Sequence, residues 1–193
     1  MPIVHCPFIR VAAWLAAFWL LCVSPLAAQN NLAGDPPRVG RAAIAAIEKS
    51  LDERVTRLWD DNPFLLLGPT RGVYLEGYGA VFTTEVNLVA SPTGLMQPVL
   101  TKEGMARYHQ KKLERLPQLE KALRQALAAS AASLDPVPAQ EQIVIVAFLS
   151  HYPWEDPSGL PVQLTVQAQK KKLLDAQRSG GALLDAAIRV TEN

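Results

Sequence analysis

Two turn-rich segments hold the residues whose types could support binding or catalysis. Residues 71–82 mix aromatic, glycine and carboxylate residues, and residues 151–159 follow a long apolar run. Carboxylate, imidazole and aromatic side chains act as acids, bases or ligand contacts where the fold brings them together. We predict six binding residues. They lie in these two segments and, for Glu85, in the strand that follows the first segment: Glu76, Tyr78, Glu85, His151, Tyr152 and Trp154.

The surroundings of His151 decide what chemistry can be expected there. Glu155 and Asp156 follow it in a proline-rich loop, which makes it the best single candidate for an acid/base or metal site. A zinc site needs three or four protein ligands, and this spacing has no regular ligand geometry. We therefore expect no metal and no cofactor, and the catalytic residues stay unassigned. The alternative interpretation is structural: the glycines of residues 71–82 serve the backbone of a hairpin turn, the aromatic residues there pack on the core, and His151 has a structural or surface role.

Two common catalytic motifs are absent from the sequence. No serine lies in a Gly-x-Ser-x-Gly turn, and no glycine-rich loop ends in Gly-Lys-Ser/Thr. The motif search therefore assigns neither a serine nucleophile nor a phosphate-binding loop.

Residues 71–82 read Arg-Gly-Val-Tyr-Leu-Glu-Gly-Tyr-Gly-Ala-Val-Phe. This segment resembles one in an uncharacterised family of small secreted bacterial proteins, and the Tyr152-Pro153-Trp154 loop resembles that family more loosely. The resemblance implies no catalytic role for any residue.

The first 28 residues have the layout of a secretory signal peptide. Arg10 precedes an apolar run at residues 11–23, and the small residues Ala27 and Ala28 lead into a polar segment. A membrane anchor would need about 20 apolar residues, and this run is shorter. We expect cleavage after Ala28, a flexible leader at residues 29–37 and a single domain at residues 38–193.

Composition supports export to the periplasm or the exterior of a bacterium. Both cysteines, Cys6 and Cys22, lie inside the signal segment, so the mature domain is cysteine-free. The chain also has no Asn-x-Ser/Thr glycosylation site. A secreted eukaryotic domain of this size usually carries disulfides or glycans, so their joint absence favours a bacterial origin. After signal cleavage we expect no stable membrane span.

Net charge excludes one class of partner. Arg10 is one of 19 basic residues, and none of the 18 acidic residues lies in the signal, so the mature chain is formally neutral. A neutral chain has no global field that attracts nucleic acid, and we expect no nucleic-acid partner. The stretch 101–124 carries a local excess of Lys and Arg, including Arg107, Lys111 and Lys112, which we expect to form a solvated helix face.

Hydrophobic periodicity predicts an α+β fold with the order α-β-β-α-β-β and a short mixed tail. One mainly antiparallel sheet with two long helices on one face is the simplest packing. Thr101 should cap the second long helix, and Pro117 should kink or split it. The predicted elements are a helix at 39–59, a hairpin at 71–89, a helix at 101–133, strands at 143–149 and 162–169, a short helix at 170–177 and a tail at 183–190.

These observations favour a secreted or periplasmic binding or protein-interaction module, whose partner is a protein or a small molecule. One alternative is a small periplasmic hydrolase that uses Glu76, Glu85 or His151. Another is an oligomeric structural component of the envelope. A hydrolase requires at least two of those polar residues in one pocket, whereas an oligomer requires a long unprotected edge strand.

Overall fold

A computed structural model describes residues 39–59, 64–90, 101–180 and 183–193. These residues belong to one compact unit. The expected signal peptide at residues 1–28 and leader at residues 29–37 lie outside the described residues.

The described chain contains four helices and six strands. The helices are α1 (Arg41–Thr56), α2 (Lys102–Ser133), α3 (Lys170–Arg178) and α4 (Leu184–Ala187). The strands are β1 (Leu65–Leu66), β2 (Arg71–Leu75), β3 (Gly79–Asn87), β4 (Gln142–Leu149), β5 (Gln163–Gln169) and β6 (Arg189–Glu192). None of the helices in these ranges has the length and apolar character that a bilayer crossing requires.

The strands form one mixed sheet in the order β1-β3-β4-β5-β6, and β2 pairs with β3 on the same side as β1. The β3–β4 pairing is parallel, and all other pairings are antiparallel. Helix α2 connects the parallel pair, because parallel neighbours need a long crossover. The predicted α+β class and the mainly antiparallel sheet are confirmed.

The core lies between one face of the sheet and the helices. Phe82, Ile145 and Val166 stand side by side on β3, β4 and β5, and each is completely buried. The apolar faces of α1 and α2 pack into the same hydrophobic core, for example through Leu51 and Leu119. Strand β5 alternates buried and half-exposed residues, as its period-two pattern predicts.

The hairpin between β2 and β3 turns where the sequence predicts. Gly77 and Gly79 both have positive φ, at 77° and 135°. A Cβ atom on Gly79 would lie 1.9 Å from the carbonyl oxygen of Gln142, because β3 and β4 begin side by side. Only glycine fits this position, on both backbone and steric grounds.

Helix α2 corrects one prediction. The sequence predicts that Pro117 kinks or splits this helix, and the predicted split is wrong, because α2 runs from Lys102 to Ser133 with Pro117 inside it. A proline inside a helix removes one backbone hydrogen bond, and Pro117 lies on the exposed side of α2. Buried residues lie before and after Pro117 in α2, such as Arg115 and Leu119, so both halves of the helix pack against the rest of the domain. The predicted cap is confirmed, since the Thr101 hydroxyl accepts a hydrogen bond from Gly104 N at 3.1 Å.

Candidate functional site

The parallel β3–β4 pair determines where a site can form. Because the two strands run in the same direction, the segments after Asn87 and after Leu149 leave the sheet at the same edge. Ligand sites in sheets with parallel strands tend to lie beyond these carboxyl ends. The loop from Ser150 to Val162, here called the β4–β5 loop, lies at this edge and packs against α2.

Three polar side chains of α2 join the helix to this edge. Tyr108 donates from its hydroxyl to the Val89 carbonyl, and Lys112 Nζ donates to the Ser150 carbonyl at 3.2 Å. Arg115 Nη1 donates to the Leu88 carbonyl at 2.6 Å. These bonds satisfy carbonyl groups that the strands no longer pair, so they fix the helix against both strand ends.

Lys112 forms a buried ion pair with Glu155 of the β4–β5 loop. The two side chains are only 1% and 3% exposed. Glu155 Oε1 also accepts a hydrogen bond from Tyr152 N at 3.0 Å, so one carboxylate ties the loop to itself and to the helix. Burial lowers the pKa of Lys112, and the Glu155 carboxylate opposes that shift.

This burial corrects the prediction of a solvated basic face on α2. Arg107 is exposed as expected, but Lys112 and Arg115 are buried. Arg115 lies over the ring of Trp59, with 4.7 Å between its guanidinium carbon and the ring centroid. The local charge excess could not reveal this, because each cation is accommodated by groups from other segments of the chain.

Three aromatic rings pack around the ion pair. Tyr108 meets Trp154 edge to face, with 5.2 Å between centroids, and Tyr152 stacks on Trp154 at 5.5 Å. Lys112 Nζ lies 5.2 Å from the Tyr108 centroid. Burial raises the pKa of Tyr108 far above its ordinary value, so its hydroxyl stays protonated as a donor. The loop is therefore held by aromatic packing as well as by the ion pair.

A cleft of about 440 Å³ opens between α2 and this loop. Its residues on α2 include His109, and its residues on the loop include Trp154 and Asp156. The full lining is Met105, Ala106, Tyr108, His109, Gln110, Trp154, Glu155 and Asp156. This volume lies within the range of roughly 300–1,000 Å³ typical of small-molecule sites.

Two polar groups of the cleft stand out by their surroundings. His109 Nδ1 is buried and has no hydrogen-bond partner within the described part of the chain. Buried polar atoms are almost always paired, so this nitrogen is available to a ligand. Hydrogen bonds from Ser158 hold the pKa of the Asp156 carboxyl below its ordinary value, and the nearby His109 adds to that effect. Asp156 is therefore ionised at neutral pH.

The structure places part of the predicted binding set at this site. Trp154 lines the cleft, and Tyr152 packs against Trp154. His151 is half-buried at the start of the same loop, outside the cleft lining. Burial lowers the pKa of His151, and the Lys112 ammonium group lowers it further.

The other predicted residues lie elsewhere. Glu76 and Tyr78 are exposed on the hairpin turn, and the Tyr78 carbonyl accepts from Gln142 N at the start of β4. The β4–β5 loop begins at the other end of β4, roughly 25 Å away at about 3.3 Å per residue. Glu85 is exposed on the sheet face opposite the helices, directly beside Phe148. The structure does not bring Glu76 to the cleft, and Glu85 is not among the lining residues.

Sequence reasoning missed the contribution of α2 to the site. Tyr108, His109, Lys112 and Gln110 were not among the predicted binding residues. The sequence contained one sign of this contribution. Tyr108, Lys112 and Arg115 are spaced three or four residues apart, on the same face of α2 as the apolar Leu119. A helix that places two cations on its apolar stripe must bury them against acceptors elsewhere.

The described residues contain no cluster of three or more His, Cys, Asp or Glu side chains suited to a metal ion. No protein-family model, curated protein or solved structure matches the chain.

Proposed function

We propose that this protein is an exported binding module whose ligand site is the cleft between α2 and the β4–β5 loop. The observation that carries the proposal is the buried Lys112–Glu155 pair, which fixes the loop beside the cleft. Burying two charges costs free energy, and the pair holds the shape of a loop that forms one side of a cavity. A loop fixed before binding loses little conformational entropy when the ligand arrives.

The composition of the cleft supports binding. Trp154 and Tyr108 offer apolar area, whereas His109 and Asp156 offer a small number of polar contacts. Small-molecule sites combine these features, with apolar contacts supplying affinity and a few polar groups supplying orientation. The partner that fits this cleft is a small molecule.

The two alternative functions receive less support. A hydrolase that uses Glu76, Glu85 or His151 needs two of them together. Glu76 lies at the opposite end of the sheet from His151. Glu85 lies on the sheet face opposite the helices, whereas His151 lies near Lys112 of α2. A structural oligomer needs a long free edge, whereas the edge strands β1, β2 and β6 have two, five and four residues. Short edges are poor templates for strand addition.

Export is supported by the sequence of residues 1–28. The charged residue, the apolar run and the small residues form a signal peptide, and the resemblance of residues 71–82 to small secreted bacterial proteins agrees with it. The absence of cysteine after Cys22 also fits a domain that folds without disulfides outside the cytoplasm. The proposed location is the periplasm or the cell exterior.

Ligand-observed NMR with a fragment library tests the binding site. Trp154→Ala removes an aromatic lining residue, and Tyr78→Ala is the matched control at the other end of the sheet. The proposal expects fragments that bind the mature chain to lose binding in Trp154→Ala and keep it in Tyr78→Ala. Binding that survives in a folded Trp154→Ala variant, or that disappears in Tyr78→Ala, would overturn it.

A further inference from the structure

The charged side chains that line the cleft are carboxylates. These carboxylates belong to Glu155 and Asp156, and Tyr108 and Trp154 add aromatic surface to the lining. No lysine or arginine is among the described residues that line the cleft. Its chemistry therefore differs from that of α2 as a whole, which carries a basic excess.

Glu155 and Asp156 differ in how much of their charge is balanced. Glu155 faces the Lys112 ammonium group and accepts from Tyr152 N, so its charge is matched inside the protein. Asp156 is exposed, and its Oδ1 accepts from the backbone nitrogen of Ser158 at 2.9 Å. A backbone amide carries no net charge, so this hydrogen bond leaves a negative charge at the cleft.

The Tyr108 ring already lies beside one cation of the protein itself, the Lys112 ammonium group. Lys112 Nζ lies within the distance of about 6 Å at which an ammonium group interacts with a ring face. Tyr108 and Trp154 meet at an interplanar angle of 61°, so their rings form a corner rather than a flat wall. Aromatic rings that line a cavity favour organic ammonium groups, and Asp156 lines the same cleft.

His109 supplies an independent observation that points to a ligand. Its Nδ1 is buried without a partner among the described residues, and the side chain lines the cleft. Nδ1 accepts a hydrogen bond in the neutral tautomer that carries its proton on Nε2. An ammonium group carries several donors and no acceptor, so it can bond to this nitrogen and to Asp156.

We propose that the cleft binds a small organic cation, a primary amine on a short alkyl chain, through Asp156, His109 and the Tyr108–Trp154 corner. This inference rests on the proposed function, because it names the ligand class of the same site. An anionic ligand would face the Asp156 charge without a cationic side chain in the described lining. A neutral ligand would leave the Asp156 charge unused.

Three probes with the same four-carbon chain test the charge requirement. Butane-1,4-diamine, butane-1,4-diol and succinate are compared by isothermal titration calorimetry with the mature chain at neutral pH and low salt. The diamine should bind at least tenfold more tightly than the diol, and succinate should not bind. Diamine affinity should fall as sodium chloride is added, because Asp156 is exposed to screening.

Two charge-removing variants locate the interaction. Asp156→Asn removes the charge but keeps the oxygen that accepts from Ser158, so the loop turn is preserved. It should weaken diamine binding about tenfold. Asp175→Asn is the matched control, since Asp175 is an exposed carboxylate on α3 that pairs with Arg178. It should leave diamine affinity unchanged.

The outcomes separate the ligand class from the site. Equal affinity for diol and diamine, or an unchanged affinity in Asp156→Asn, overturns the cation inference. If the diamine fails while library fragments still lose binding in Trp154→Ala, the ligand class is wrong and the cleft remains the binding site. If neither the diamine nor any fragment depends on Trp154, the inference and the proposed function both fail.

Discussion

Lys112 and Glu155 form an ion pair in which both side chains are almost fully excluded from solvent, although 43 residues separate them in the chain. Lys112 lies on the long helix, and Glu155 lies in the loop beyond the central strand. The pair therefore joins the two sides of the cleft, and its stability determines the shape of the site.

The first prediction concerns this pair. Lys112→Met should lower the free energy of unfolding by about 3–5 kcal/mol, because it leaves the Glu155 charge buried without a partner. Combining it with Glu155→Leu should cost less than the sum of the two single changes, since the double variant leaves neither charge. Urea unfolding of the single and double variants measures this coupling.

The exposed pair between Arg178 and Asp175 is the control, with side chains 76% and 54% exposed. Asp175→Asn should change stability by less than about 1 kcal/mol. A cost for Lys112→Met as small as that of this control would show that the Lys112 site is open to water.

The second prediction concerns the pH dependence of stability. Burial and the Lys112 charge hold the pKa of His151 below its ordinary value of 6.5, so the unfolded chain binds this proton more readily than the folded chain does. The contribution of His151 to stability is therefore full above the ordinary pKa and is lost as pH falls through the folded-state pKa. His151→Gln should flatten the stability profile on the acid side of pH 6.5.

NMR titration of the His151 ring in the folded protein checks the cause directly. Its midpoint should lie below 6.5. A midpoint at or above this value would contradict the prediction, whatever the stability profile of the variant.

How much of this structure the sequence predicts depends on whether the information is local. The alternation in β5 and the Thr101 cap of α2 are local patterns, and both predictions are confirmed. Ile145 lies in a run of seven apolar residues, and the structure places it in the central strand with no exposure. Each of these features depends on neighbours within a few residues.

The site could be predicted only in part, because its residues meet through the parallel β3–β4 pair. The position of Trp154 in the loop after the central strand predicts a binding role for it, but nothing near Lys112 in the sequence indicates that Glu155 will face it. A charge excess on a helix usually means a solvated surface. Here the partner lies on another element, so the burial of Lys112 follows from the fold and not from the helix itself.

The third prediction uses two glycines of one hairpin. Gly79→Ala should lower the free energy of unfolding by about 3 kcal/mol or more, because the added Cβ meets the Gln142 backbone and φ is positive. Gly77→Ala is the matched control, since its φ is 77° but no atom lies within 4 Å of its added Cβ. It should cost only about 1–2 kcal/mol for the left-handed conformation.

Urea unfolding of both variants separates steric from conformational cost. Equal losses would mean that the close approach of β3 and β4 relaxes without cost. The register that pairs Gly79 with Gln142 would then be less rigid than the structure indicates.

The last prediction concerns export. Expression of the full chain in a Gram-negative bacterium should yield a periplasmic protein whose first residue is Gln29, because signal cleavage follows small residues such as Ala28. Leu15→Arg should block this, since a charge in the centre of an apolar segment costs about 2.5–3.5 kcal/mol on membrane insertion. A chain that starts at Gln29 is the control and should remain in the cytoplasm.

Mass spectrometry of the periplasmic and cytoplasmic fractions distinguishes the forms by their N-termini. An intact Met1 in soluble cytoplasmic protein would contradict export, whereas cleavage at another position would correct only the site.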